Sequence, residues 1–180
     1  AAAHFHLDPA LKTILIIGGS QGARTINQGI LAGLDRLKEA GIQVIWQTGI
    51  AFESTAKQAA ARHTNIYVSA FIYEMDLAYA MANLVISRAG ASSVSEICLI
   101  GKASILVPLP SAAEDHQTEN AKSLVAQNAA ILVRDADVKE NLIAEALKAI
   151  QSDLSIIEKN SLGLAKPNAA HEIALSILQA

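Results

Sequence analysis

The stretch TILIIGGSQGAR, at residues 13–24, runs from a strand pattern into a glycine-rich loop. Thr13–Ile17 ends in consecutive aliphatic residues, the pattern of a strand that helices cover on both faces of a parallel sheet. Gly18, Gly19 and Gly22 allow the backbone a tight turn and a close approach to a ligand. Helical spacing of apolar residues begins directly afterwards. This order predicts the first βα unit of a doubly wound α/β domain.

The same alternation of aliphatic runs and helical spacing continues along most of the chain. The runs predict six strands, at Thr13–Ile17, Gln43–Gln47, residues 66–68, Leu84–Ser87, residues 104–107 and residues 130–133. Apolar residues three and four apart predict the intervening helices, around residues 26–37, 54–62, 77–81, 94–98 and 121–125. Strands that alternate with helices in this way are typical of a parallel sheet, in which right-handed crossovers join the strands. We therefore expect a doubly wound, six-stranded parallel sheet.

After the sixth strand, the chain is expected to continue in helices. Asp137 and Glu140 predict a capped helix to about Gln151, and Pro167 predicts the start of a terminal helix through Leu178. No linker rich in Gly, Ser or Pro interrupts the chain, which favours a single domain.

Composition excludes several classes of protein. The 180 residues are 52% hydrophobic and 17% charged, with Cys98 as the only cysteine, which excludes intrinsic disorder and a disulfide scaffold. No apolar run approaches the roughly 18 residues that span a bilayer, and the lone thiol favours a cytoplasmic location. A net charge of −3 and 4% aromatic residues argue against a nucleic-acid partner.

The glycine-rich loop favours a phosphate ligand, because the helix behind it offers unsatisfied N–H groups and a partial positive charge. The loop is neither the G-x-G-x-x-G of dinucleotide folds nor a P-loop with its lysine. No acidic residue ends the second strand, where the ribose of NAD would need one. We therefore expect no nicotinamide and no other cofactor. A tight turn without a ligand is the alternative.

A second small-residue loop, SRAGASSVSE at residues 87–96, follows the predicted fourth strand. Both loops lie at carboxyl ends of strands in one sheet, so they converge on the crevice where such sheets bind ligands, which favours a diphosphate. From spacing alone, a capping box of Ser93 and Glu96 is favoured, with ligand binding by Glu96 as the alternative. Arg88 is either a ligand contact or a surface or interdomain charge.

Two further segments lie at the same predicted edge. Residues 108–120 carry amides, carboxylates and a hydroxyl that suit a sugar, although a solvated helix start capped by Asp115 explains them equally well. His116 has no spaced acid or nucleophile, and no acidic pair has metal-ligand spacing, so neither a catalytic histidine nor a metal site is expected. For residues 71–75, burial in the core is favoured, and the alternative is a surface against which a flat base stacks.

In this order, residues 18–24, 71–75, 87–96 and 108–120 resemble the carboxyl-terminal half of the MurG family, the bacterial UDP-N-acetylglucosamine (UDP-GlcNAc) transferases of peptidoglycan synthesis. The resemblance implies the Rossmann-like, donor-binding lobe of a GT-B glycosyltransferase. It also implies three segments: residues 1–12 as a leader or connector from an amino-terminal lobe, 13–165 as the UDP-GlcNAc-binding domain, and 166–180 as a terminal helix packing toward that lobe.

The resemblance implies a substrate site drawn from all four motifs. Its residues are Ser20, Gln21, Gly22, Ile72, Met75, Ala91, Ser92, Ser93, Val94, Ser95, Glu96 and Gln117, with Gly19, Arg88, Gly90, His116 and Asn120 as further candidates. Ser20 and the amides after it would contact the diphosphate, and N–H groups of residues 91–95 would line the nucleotide. Ile72 would present main-chain groups to uracil, Glu96 would hold the ribose hydroxyls, and Gln117 would bind GlcNAc hydroxyls.

The implied reaction transfers GlcNAc, with inversion, to the undecaprenyl-linked muramoyl-pentapeptide, converting lipid I to lipid II at the cytoplasmic face of the inner membrane. In the family the acceptor site and the candidate base lie on the amino-terminal lobe, so we expect donor binding without turnover and no catalytic residue here. The chain departs from the family at His116-Gln117, often two glutamines, and at Thr118-Glu119, often aromatic. Alternatives are the donor-binding subunit of a split transferase, a non-catalytic UDP-sugar-binding module and a sugar-nucleotide epimerase.

Overall fold

The computed structural model describes residues 1–110 and 115–178. Residues 111–114 of the predicted sugar-side segment, and the last two residues of the predicted terminal segment, lie outside the described residues. Six parallel strands form one sheet: β1 Thr13–Ile17, β2 Gln43–Gln47, β3 Ile66–Ser69, β4 Leu84–Ser87, β5 Ser104–Leu106 and β6 Ile131–Leu132. Their order is β3-β2-β1-β4-β5-β6. The predicted doubly wound α/β fold is confirmed.

Helices connect the strands and end the described chain. They are α1 Ala2–Phe5, α2 Arg24–Glu39, α3 Ile50–Ala60, α4 Met75–Met81, α5 Ala91–Leu99, α6 His116–Ala126, a 3-10 helix Asp135–Asp137, α7 Val138–Gln151, α8 Ser155–Gly163 and α9 Ala169–Leu178. Our sequence patterns did not predict α1, α8 or the 3-10 helix. Helix α1 and the 3-10 helix are too short to show the periodicity of apolar residues that indicates a helix. Helix α8 follows α7 with no strand between them.

Two predicted helix starts differ in detail. The helix expected to run to Gln151 begins after Asp137, but the Asp137 carboxylate accepts a hydrogen bond from Arg134 Nε (2.6 Å) and makes no capping bond to α7. The terminal helix begins at Ala169 rather than at Pro167, because the two residues before it form a turn.

The core lies in two layers, one on each face of the sheet. Ile14 and Ile16 of β1 face the layer that holds α2, α3 and α7, whereas Leu15 and Ile17 face the layer that holds α1, α4, α5 and α6. All residues of β1, β2, β4 and β5 are buried, as predicted for strands covered on both faces. The edge strands β3 and β6 are only half-buried, since each has a neighbour on one side alone.

This topology places the glycine-rich loops side by side. The chain leaves β1 toward one face of the sheet and leaves the adjacent β4 toward the other, so a crevice opens between their carboxyl ends. The segments after β1, β4 and β5 all reach this edge. Among the described residues, no helix is both long and apolar enough to cross a membrane.

Candidate functional site

A cavity of about 420 Å³ occupies the crevice beyond β1 and β4. It draws its walls from the loop after β1 and the start of α2, from the loop after β4 and the start of α5, and from the segment after β5. The lining residues are Gly18, Gly19, Gly22, Ala23, Arg24, Thr25, Arg88, Gly90, Ser92, Ser93, Leu109 and Gln117. Three motifs that are far apart in sequence therefore meet in one space.

Seven candidates from the sequence line this cavity: Gly19, Gly22, Arg88, Gly90, Ser92, Ser93 and Gln117. The structure does not bring the others into its wall: Ser20, Gln21, Ile72, Met75, Ala91, Val94, Ser95, Glu96, His116 and Asn120. Arg24 and Thr25 do line it, although we assigned them no role from sequence. Their position in the first turn of the helix behind the loop is the signal that would have found them.

The glycine-rich loop is held in a conformation that needs glycine. Gly19 and Gly22 have φ angles of 77° and 76°, and the Gly22 N–H donates to the Gly19 carbonyl (3.0 Å) to close the turn. The α-carbon of Gly22 lies so close to the Thr48 carbonyl that a β-carbon would overlap it. Ser20 and Gln21 are exposed at the tip of this turn.

Two of the helices that begin at the cavity, α2 and α5, have open amino termini, whereas α6, whose Gln117 also lines it, carries Glu119 in its first turn. Neither α2 nor α5 has a side-chain cap, and neither carries an acidic residue in its first turn. Apart from the four-residue α1, every other described α-helix has an Asp or Glu there. Unsatisfied N–H groups and the positive end of the helix dipole both favour an anion. The cavity is therefore suited to a phosphate or diphosphate.

Arg88 is not an ordinary surface charge, since its side chain is only 11% exposed and is paired. Its Nη1 donates to Asp135 Oδ1 (2.5 Å) and to the carbonyls of Val107 (3.1 Å) and Pro108 (3.3 Å). The second carboxylate oxygen of Asp135 accepts a hydrogen bond from Thr25 Oγ1 (3.1 Å). Two members of this network, Arg88 and Thr25, line the cavity, and Asp135 joins them from behind its wall.

The capping box favoured for Ser93 and Glu96 does not form. Gly90 is the N-cap of α5, so Ser93 is already inside the helix. Glu96 is exposed, and its Oε2 accepts a hydrogen bond from the Tyr79 hydroxyl (3.2 Å). Burial raises the pKa of the Tyr79 phenol, and the Glu96 carboxylate raises it further. Tyr79 thus remains a donor at neutral pH and holds one oxygen of Glu96.

Glu96 nevertheless lies near the cavity along α5. Ser92 lines the cavity, and Glu96 follows it by four residues, one turn on the same helix face. Their α-carbons are separated by about 6 Å along the axis. An anion at the helix terminus and a group bound by Glu96 would therefore be neighbours in one ligand.

The segment after β3 is tied to the glycine-rich loop by Gln47. The buried Gln47 side chain accepts a hydrogen bond from Ile72 N (3.1 Å) and donates to the Gly19 carbonyl (3.1 Å). Ile72 is 2% exposed, as its predicted place in the core requires, whereas Phe71 and Tyr73 are exposed. The predicted burial in the core is therefore confirmed for Ile72 and is wrong for Phe71 and Tyr73. The Ile72 N–H is already engaged by Gln47.

The described residues after β5 make several contacts within the protein. Gln117 Oε1 accepts a hydrogen bond from Leu109 N (3.0 Å), which orients its amide NH₂ away from that contact. Asn120 Nδ2 donates to the Ala89 carbonyl (3.0 Å) and holds α6 against the loop after β4. Asp115 precedes α6, but its carboxylate accepts a hydrogen bond from the Thr118 hydroxyl instead of capping the helix. His116 is exposed in the first turn.

Sequence comparison relates nearly the whole chain to known transferases. The family model described as "Glycosyltransferase family 28 C-terminal domain" matches residues 13–173. A UDP-N-acetylglucosamine–N-acetylmuramyl-(pentapeptide) pyrophosphoryl-undecaprenol N-acetylglucosamine transferase of Parabacteroides distasonis is 47% identical over 183 aligned positions. The alignment covers 99% of this chain and 50% of the relative. The chain thus spans about half the length of the relatives it matches.

Structural comparison agrees with the sequence relationship. A crystal structure of MurG from Acinetobacter baumannii superposes with a TM-score of 0.79 at 30% identity, covering 94% of this chain and 52% of that chain. A UDP-GlcNAc 2-epimerase from Neisseria meningitidis, bound to UDP-GlcNAc, superposes with a TM-score of 0.66 over 99% of this chain and 47% of that chain. Its 16% identity shows a shared fold alone.

Proposed function

This chain belongs to glycosyltransferase family 28, as a carboxyl-terminal domain, and from that premise we propose that it is the donor-binding half of an inverting UDP-GlcNAc transferase. The enzyme would convert lipid I to lipid II by adding GlcNAc to the undecaprenyl-linked muramoyl-pentapeptide. The observation that carries the proposal is the cavity of about 420 Å³ at which two uncapped helix N-termini meet.

The diphosphate of the donor would occupy this cavity. The loop after β1, with Ser20 and the amides of Gln21 and Gly22, would contact it from one side, and the first turn of α5 would contact it from the other. Positive helix ends and unsatisfied N–H groups stabilise such an anion without a metal ion. Among the described residues, no cluster of three His, Cys, Asp or Glu side chains is arranged to hold one.

The nucleoside would extend along α5 toward α4. Glu96, one turn beyond Ser92, would accept hydrogen bonds from the ribose hydroxyls with its carboxylate, which Tyr79 orients. Because Gln47 already binds the Ile72 N–H, we assign the carbonyl of Ile72, not its amide, to the uracil edge. Met75, half-buried at the start of α4, would pack beside the base.

The sugar would lie beside α6. The oxygen of the Gln117 amide is engaged by Leu109, so its NH₂ group would donate to hydroxyls of GlcNAc. His116, exposed in the first turn of the same helix, and Asn120, held to Ala89, would border the sugar. This assignment leaves the anomeric carbon at the open side of the crevice.

The reaction would proceed by attack of the muramoyl 4-hydroxyl on that anomeric carbon. A C–O bond forms with inversion, the bond to the UDP oxygen breaks, and the acceptor proton passes to a base. The helix N-termini would stabilise the negative charge that develops on the departing UDP. The base and the acceptor site would be supplied by an amino-terminal half, as would most contact with the cytoplasmic face of the membrane.

Helix α9 supports the presence of such a partner. None of its residues is buried, and Ile173, Ile177 and Leu178 are exposed by 61%, 71% and 83%. Exposed apolar residues on consecutive turns mark a surface for another protein element. We assign this surface to the amino-terminal half that completes the enzyme.

A transfer assay tests whether catalysis requires both halves of the enzyme. With UDP-GlcNAc and the lipid-linked acceptor, the 180-residue chain alone is expected to form no product, because we assign the base to the amino-terminal half. The same chain fused behind the amino-terminal half of the Parabacteroides distasonis relative is expected to form the disaccharide. Product from the isolated chain would contradict the proposal, since it would place the complete reaction in this lobe.

A further inference from the structure

Asp135 joins the two elements that flank the cavity. Its Oδ1 accepts a hydrogen bond from Arg88 Nη1 (2.5 Å), and its Oδ2 accepts one from Thr25 Oγ1 (3.1 Å). The Arg88 and Asp135 side chains are only 11% and 18% exposed. Both oxygens of one carboxylate are therefore engaged, by residues that lie 47 and 110 positions away in the sequence.

Each partner of Asp135 lies at or just before a different one of the two helix amino termini at the cavity. Thr25 is in the first turn of α2. Arg88 lies two residues before Gly90, the N-cap of α5, and is also anchored to the carbonyls of Val107 and Pro108. The carboxylate thus connects the start of α2, through Arg88, to the segment that leads into α5.

We propose that Asp135 is a positioning residue that sets the separation of the α2 and α5 amino termini, and thereby the affinity of the lobe for the diphosphate of its nucleotide. This inference rests on the proposed function. Two helix ends stabilise one anion together only when both are aimed at it. Hydrogen bonds to a carboxylate in a partly buried site are stronger than neutral ones. The link through Thr25 and Arg88 is therefore of the kind that can favour one separation of the two termini.

Thr25→Val tests the link without changing charge or volume. It removes the hydroxyl that donates to Asp135, and we expect the dissociation constant for UDP, measured by calorimetry, to rise about five- to tenfold. Binding of uridine, which lacks the diphosphate, is expected to stay unchanged. Thr25→Ser keeps the hydroxyl and is expected to restore UDP binding. In an Asp135→Ala background, Thr25→Val is expected to have little further effect, because the group that joins Thr25 to Arg88 is already absent.

Asp137 provides a matched control on the same 3-10 helix. It also pairs with an arginine, Arg134 (2.6 Å), but that arginine is 76% exposed and neither residue lines the cavity. Asp137→Ala, which removes the acceptor of Arg134, is therefore expected to leave UDP binding as in the wild type.

Two results would overturn this inference but leave the proposed function standing. One is wild-type affinity for UDP in Thr25→Val. The other is an equal loss of UDP and uridine binding, which would indicate a general disruption of the site. Failure of the wild-type chain to bind UDP would overturn the proposed function and this inference with it.

Discussion

Replacing Gly22 by alanine is expected to abolish detectable UDP binding and to lower the free energy of unfolding by about 2–4 kcal/mol. Gly22 has a φ of 76°, a conformation that costs an L-residue strain energy. Its new β-carbon would also overlap the carbonyl of Thr48, the buried residue directly after β2, whose oxygen accepts a hydrogen bond from Asn27 Nδ2 (2.8 Å). The loop after β1 would have to shift as a whole. Calorimetry with UDP and denaturant unfolding measure the two effects.

Gly19 supplies the matched control for this substitution. It has nearly the same φ, 77°, but a β-carbon there would meet no atom within 4 Å. Gly19→Ala is therefore expected to cost only the backbone strain, about 1 kcal/mol of unfolding free energy. Equal destabilisation by the two substitutions would contradict the account, since it would mean that the packing of the loop against Thr48 has no energetic role.

Glu96→Ala is expected to weaken UDP-GlcNAc binding by about 1–3 kcal/mol, because it removes charge-assisted hydrogen bonds to the ribose. Within the protein itself, the substitution removes one hydrogen bond, which the Tyr79 hydroxyl donates to an exposed carboxylate. The fold is therefore expected to tolerate the change. Calorimetry with UDP-GlcNAc measures the effect on affinity, and thermal unfolding checks the fold.

The ligand and Tyr79 provide two controls for the Glu96 prediction. With 2′-deoxy-UDP the difference between the wild type and Glu96→Ala is expected to shrink, since one ribose hydroxyl is absent. Tyr79→Phe keeps the carboxylate and removes only its orienting donor, so a smaller decrease in affinity is expected. Unchanged UDP-GlcNAc affinity in Glu96→Ala would contradict a role of Glu96 in ligand binding. The hydrogen bond with Tyr79 would then be its only assigned role.

The strands could be predicted because a strand that is buried on both faces has apolar residues at consecutive positions. Thr13–Ile17, Gln43–Gln47 and Leu84–Ser87 have the predicted bounds, and these are central strands. At the edges, β6 is shorter than predicted, since residues 130 and 133 lie in the aliphatic run but not in the ladder. The alternation with helices predicted a doubly wound sheet, but not the order of its strands, which only the structure gives.

The site was predictable only in outline, because its side-chain interactions join residues far apart in sequence. Nothing near Arg88 indicates that Asp135 neutralises it. Spacing alone suggested a capping box at Ser93 and Glu96, but the helix starts earlier, at the end of the loop from β4. The engagement of the Ile72 N–H by Gln47 likewise depends on pairing between β2 and the segment after β3.

The central claim, that this lobe selects a uridine diphosphate sugar, is tested most directly by titrating the 180-residue chain with UDP-GlcNAc, ADP-glucose and GDP-mannose in a calorimeter. We expect one molecule of UDP-GlcNAc to bind per chain, with an affinity at least about tenfold higher than that of either purine nucleotide sugar, a difference of about 1.4 kcal/mol. Equal affinity for the three ligands, or no heat of binding with UDP-GlcNAc, would contradict the account.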